Sequence, residues 1–224
     1  MTRFELCGKV VNVFGKENKG SPLVILNTFE DEGEAVWNEC LLQNCLPFIL
    51  AAISCLDWNK DMSPWQNPPI YKNDTAFLGG ADSYLDELKE KIIPSIRSYL
   101  SSEPAYIALA GYSLAGLFAL YAAHKTDVFS RIASVSGSLW YPRFAEYAKS
   151  TAFIKKPDYI YLSLGDTEAK TRNALLKTVQ EKTEALYYYW LSRGIAISYE
   201  LNKGNHFSNT TFRTARGIQQ LLLQ

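Results

Sequence analysis

Histidine is scarce in this chain: His124 and His206 are the only two among 224 residues. Any imidazole chemistry must use one of them. Two histidines so far apart in sequence are also poor material for a metal centre, which needs His, Cys or carboxylate ligands at workable spacing. Neither a metal nor another cofactor is expected. The four cysteines, Cys7, Cys40, Cys45 and Cys55, include no C-x-x-C pair, and a chain of this size does not need disulfides to hold together. Buried, reduced thiols are the expectation, and with them a cytoplasmic location. Net charge is missing too. Lys and Arg together number 23, as do Asp and Glu, so no overall field draws the protein to nucleic acid or anionic lipid. No stretch approaches the roughly 20 apolar residues of a membrane span. The opening residues MTRFELCGKVVNVFGKEN lack the apolar core, about 7 to 15 residues long, of a secretory signal. With nucleic acid and membrane set aside, a small-molecule substrate is the expected partner, and oligomeric state is left open.

What is present is a strand and helix alternation across residues 1–224, read as one α/β domain. Apolar, β-rich runs fall at Lys9 to Phe14, Leu23 to Phe29, Phe48 to Cys55, Ala105 to Ala110, Ile132 to Ser136, Tyr159 to Leu164 and Ile195 to Leu201. Runs such as LVIL and FILAAIS are apolar throughout, which suits strands buried on both faces of a parallel sheet. Between them SYLDELKEKIIPSIRSYL, AGLFALYAAHK, YPRFAEYAKS and TRNALLKTVQEKTEALYYYWLSRG show helical spacing. Pro94 should kink or divide the first of these. EDEGE at 30–34 reads as a solvated turn. The segment from Leu56 to Gly80 is long and aperiodic yet holds Trp58, Trp65, Tyr71 and Phe77. That much apolar surface predicts packing over a sheet edge or an active-site mouth.

The chemistry centres on YIALAGYSLAGLFALYAA, residues 106–123. It reads as a buried strand, a sharp turn at Ser113 and a helix of small residues. Such an elbow pushes the serine side chain out at the C-terminal edge of the sheet, and small residues two before and two after it let strand and helix pass closely. Those positions hold Gly111 and Ala115. Taken alone the pattern arises by chance in on the order of one chain in ten. The histidines sharpen it. A serine hydroxyl needs a base to take its proton. His124, eleven residues further along the same helix, lies about 16 Å away at 1.5 Å per residue. It is excluded as that base, and its place near a helix C-terminus is an ordinary structural one. His206, in the loop SYELNKGNHFSN after the last apolar run, follows the chain order nucleophile, acid, histidine. The acid is expected in YIYLSLGDTEAKTRN, as Glu168 or Asp166; Glu168, three residues after Gly165, is preferred, and Asp166 is suited to holding the turn or capping a helix. An oxyanion would need two backbone N–H donors. Leu114 offers one, and Thr28 or Phe29 at the end of the LVILNTFE strand offers the other.

With these residues in place the chain resembles the esterases of the esterase D type, the α/β-hydrolase group that includes enterochelin-esterase-like proteins and S-formylglutathione hydrolases. The resemblance rests on LVILNTFEDEGEAVW, DWNKDMSPWQNPPI, LGGADSYLDELKEKIIPSI, GYSLAGLFALYAA, SVSGSLWYPRF, YLSLGDTEAKTRN and KGNHF. It implies an α/β-hydrolase fold, a mostly parallel central sheet with helices on both faces, and Ser113 as nucleophile with His206 as base. It further implies Trp140 and Tyr141 near the substrate pocket, and Trp58, Trp65 and Tyr112 are expected there as well. Ala115 departs from the commoner glycine. The short connection between Ser136 and Tyr159 leaves no room for a separate cap domain, so the site should be open or covered only by the Leu56 to Gly80 segment. Ester hydrolysis through an acyl-enzyme is the expected activity, with a rate that falls on acidification through the range near 6.5 in which an imidazole takes up a proton. A thioesterase, an acyltransferase or a non-catalytic binding module would use the same fold.

Overall fold

The computed structural model describes residues 1–15 and 20–224. The chain opens with a hairpin, β1 (Thr2–Leu6) and β2 (Lys9–Phe14), followed by β3 (Leu23–Asn27), α1 (Gly33–Leu42) and β4 (Ile49–Ser54). The next stretch holds the single turn α2 (Trp58–Asp61), the short strands β5 (Gln66–Asn67) and β6 (Phe77–Leu78), then α3 (Ala81–Glu87) and α4 (Ile93–Ser98). The second half runs β7 (Ile107–Tyr112), α5 (Leu114–Lys125), β8 (Arg131–Val135), α6 (Phe144–Ser150), β9 (Tyr159–Gly165), α7 (Val179–Ser192), β10 (Ile197–Asn202) and α8 (Thr210–Leu222).

Eight strands form one sheet in the order β1-β2-β4-β3-β7-β8-β9-β10. The hairpin pairs antiparallel at one edge, and every pairing from β4 to β10 is parallel. Side-chain alternation divides the apolar runs between two cores. Leu23, Ile25, Ile49, Ala51 and Ile53 face α3 to α7, whereas Val24, Leu26, Leu50 and Ala52 face α1 and α8. Continuous apolarity is thus the sequence mark of strands covered on both sides.

Several expectations need adjustment. EDEGE is not only a turn, because Gly33 and Glu34 open α1. Its exposed carboxylates lie where a helix N-terminus favours negative charge. The helical run continues past Pro94, from Ala81 to Ser98, with a π turn, Leu88–Ile92, between α3 and α4 and the proline as the second residue of α4. Thr28 and Phe29 leave the β3 ladder. Cys7 and Cys55 are exposed rather than buried, although all four thiols are free. Both sit at positive φ in turns outside the core. Among the described residues no helix is long and apolar enough to cross a membrane.

Candidate active site

The parallel strands deliver their C-terminal ends to one edge, where the loops after β3, β7, β8, β9 and β10 meet. The sharpest turn is at Ser113, between β7 and α5, with φ 60° and ψ −122°. A non-glycine residue there is strained. The surroundings hold it: Ser113 N–H donates to the Val135 carbonyl (3.0 Å), and its own carbonyl accepts from Gly116, Leu117 and Ser138 N–H. A Cβ on Gly111 would overlap the Ala115 backbone. Glycine is therefore required before the turn, and Ala115 is accommodated after it.

Beyond the elbow a hydrogen-bonded chain crosses three loops. His206 Nε2 lies 3.0 Å from Ser113 Oγ, and His206 Nδ1 lies 2.8 Å from Glu168 Oε2. The carboxylate fixes the tautomer, with Nδ1–H donated to Glu168 and the Nε2 lone pair facing the hydroxyl. Glu168 is almost fully enclosed, at 3% side-chain exposure, while His206 is 29% exposed. Burial by itself would raise the Glu168 pKa. The His206 hydrogen bond and charge, the Arg213 guanidinium and the Gly165 N–H outweigh it and hold the carboxyl down at about 2. Asp166 serves differently. Its Oδ1 accepts from Gly204 N–H at 2.9 Å, latching the turn after β9 to the loop after β10.

Arg213 on α8 was not foreseen. Fully buried, it donates to Glu168 Oε1 at 2.9 Å, to the Ser136 hydroxyl, and to the Asn205 carbonyl at 3.2 Å. It therefore ties the acid to the loop carrying His206. The Tyr112 hydroxyl adds a second hold, donating to the His206 carbonyl at 2.7 Å. A buried arginine in an otherwise apolar stripe of α8 was the available signal, since such a charge requires a partner.

The backbone donors separate as well. Thr28 N–H donates to the Ile53 carbonyl at 2.9 Å, and its hydroxyl donates to the same oxygen. Leu114 begins α5, so its N–H has no partner within the helix.

Two cavities flank the Ser113 hydroxyl. One, of about 610 Å³, is walled by Trp58, Tyr71, Phe77, Trp140 and the segment between α2 and β6. The other, of about 360 Å³, lies against Tyr112, Leu26, Val36 and Thr214. Ser113, His206, Phe29, Trp58 and Phe207 border both. Trp58, Trp140 and Tyr112 are thus brought to the cavity walls. Trp65 and Tyr141, expected there too, are not. The Tyr141 hydroxyl donates to the Trp65 carbonyl at 2.6 Å, and Trp65 Nε1 donates to the Pro142 carbonyl at 3.1 Å. Their polar tips satisfy backbone carbonyls on either side of the contact, the Trp65 ring meets Tyr121 and Tyr147 edge-on, and the Tyr141 ring packs against Phe77 and Trp140. Phe207, 83% exposed beside His206, carried no sequence signal.

A mostly parallel sheet, a strained serine elbow and a histidine joined to a buried carboxylate define an α/β-hydrolase. The family model described as "Putative esterase" matches residues 40–214, and the chain belongs to that family of carboxylic ester hydrolases. The chain is similar to an IroE-like serine hydrolase from Shewanella oneidensis, with a TM-score of 0.80, 18% identity, and coverage of 99% of this chain and 79% of the other. A siderophore hydrolase, EstA of Aspergillus nidulans, superposes with a TM-score of 0.74 at 20% identity over 96% of this chain and 90% of its own. The uncharacterized protein YbbA of Bacillus subtilis (strain 168) is 23% identical over 188 residues, 81% of this chain and 75% of that protein.

Proposed function

We propose that this esterase works through an acyl-enzyme on Ser113, with His206 as the general base and Glu168 as its orienting acid. The observation that carries the reading is the unbroken path Ser113 Oγ, His206, Glu168, with its two links of 3.0 and 2.8 Å. His206 Nε2 takes the Ser113 proton as Oγ bonds to the ester carbonyl carbon, and the carbonyl electron pair moves onto oxygen. Backbone N–H groups of Leu114 and Phe29 receive that oxyanion. Phe29 is favoured over Thr28 as the second donor because the Thr28 amide is already given to Ile53. Collapse breaks the C–O bond, and the alkoxide leaves as the alcohol with the proton held on His206. A water then repeats the sequence: His206 removes its proton, hydroxide adds to the acyl carbon, and the acid departs as Ser113 recovers its proton.

Four free thiols, two of them exposed, support a reducing compartment and hence the cytoplasm. The experiment is labelling with an uncharged fluorophosphonate probe, read by intact mass. One phosphonyl adduct on the native chain and none on Ser113→Ala is expected. Equal labelling of both removes Ser113 from its role.

A further inference from the structure

Because the two cavities meet at the serine, an ester whose carbonyl lies at Ser113 Oγ has one substituent in each. The charge around those substituents is one-sided. Among the described residues, neither cavity is lined by a lysine or an arginine. The larger presents Asp57 and Asp74 and the smaller presents Glu32, all three at the exposed rims, with Glu32 Oε2 also accepting from the Glu30 N–H at 3.0 Å. The Glu168 charge is matched by Arg213 at 2.9 Å. Asp57, Asp74 and Glu32 form no ion pair among the described residues. Lys182 directs its ammonium to the carbonyl of the lining residue Trp140 at 3.5 Å, but it does not itself line the cavity.

A cleft with apolar walls and charge of one sign focuses its field on whatever enters. An anionic substituent would lose hydration there with no cation to replace it. A neutral group carries no such cost, and a cationic one gains from the carboxylates. Both volumes lie in the range of drug-sized ligand sites, so neither side is limited to an acetyl or methyl group. Resting on the acyl-enzyme reading above, we propose that the substrate is an ester with a sizeable, mainly apolar group on each side of the ester bond and no negative charge on either.

Matched ester pairs test this. On the acyl side, p-nitrophenyl pentanoate is compared with p-nitrophenyl hemisuccinate, which ends in a carboxylate. On the alcohol side, the butanoate of methyl 4-hydroxybenzoate is compared with that of 4-hydroxybenzoate. Each is corrected for its rate of alkaline hydrolysis. At low ionic strength the kcat/KM of each anion should fall at least about tenfold below that of its neutral partner. The gap should narrow in 0.5 M KCl, on the acyl or alcohol side in Asp57→Asn/Asp74→Asn, and on the opposite side in Glu32→Gln. Equal or faster turnover of the anions, or a gap that neither salt nor the variants change, overturns the charge assignment and leaves the acyl-enzyme reading standing. Absence of turnover on every ester, together with absence of Ser113 labelling, overturns both.

Discussion

The two histidines occupy opposite kinds of surroundings. His124, in the last turn of α5, is 2% exposed and stacked on Phe153 at 4.2 Å, with Tyr147 and Trp190 around it. Among the described residues no carboxylate pairs with it, and burial pushes its imidazole down to about 4, only partly offset by the Ala152 and Thr151 backbone. His206 stands in a loop at the sheet edge, between a hydroxyl and a buried carboxylate. One imidazole is an aromatic plate in the core, the other a bridge between a hydroxyl and a carboxylate at the sheet edge. The same side chain becomes core or cavity lining according to whether a counter-charge and a cavity are supplied.

The widest separation between them should be in turnover. His206→Ala should lose about 10⁶-fold in kcat, the scale of a removed base in a serine hydrolase. His124→Leu should stay within about threefold, measured on the same neutral p-nitrophenyl ester. A collapse of activity in the His124 variant with its fold intact by circular dichroism would break the contrast.

Replacing the carboxylates sharpens it next. Glu168→Gln removes the charge and, with its carbonyl kept toward Arg213 and the Gly165 N–H, turns an amide N–H toward His206, so it should lower kcat about 10⁴-fold with little change in KM. Asp166→Asn should lose less than about tenfold, since its contact is with Gly204. The opposite order would transfer the acid to Asp166.

The smallest effect is on stability. His124 takes up a proton less readily in the folded chain, at about 4, than at the ordinary 6.5. Its contribution is therefore complete above 6.5 and lost as the pH falls toward 4. Between pH 7.5 and 5 this amounts to about 2 kcal/mol at 1.36 kcal/mol per unit. Glu168, held down at about 2, begins to lose its contribution only below the ordinary carboxylate value of 4.5, so it does not enter this window. Urea unfolding at both pH values should show a steeper loss for the native chain than for His124→Leu. Identical slopes would mean that the His124 ring is charged in the fold.

Much of this was legible in the residue order. LVIL and FILAAIS announced strands covered on both faces, and GYSLAG after YIALA announced the elbow. Helix rise alone set His124 apart from Ser113. What was hidden depended on contacts distant in sequence. In α8, NTTFRTARGIQQLLL conceals its buried stripe behind Arg213, whose partner lies 45 residues upstream. In α1, the acidic run before Gly33 hid the helix that starts within it. Trp65 and Tyr141 looked like pocket aromatics because residue type does not say which way a ring turns. Their hydroxyl and indole N–H took the backbone partners within reach, behind the cavity wall.

Local sequence determined the elbow, the parallel strands and the elimination of one histidine, because period, chain rise and steric fit act over a few residues. Only the tertiary structure chose Glu168 over Asp166 as the neighbour of His206, brought in Arg213 and, among the described residues, left the two cavities without a lining lysine or arginine. Those outcomes depend on how loops after β3, β8, β9 and β10 meet in space, and a hydrogen bond is decided by about an ångström that sequence spacing does not encode.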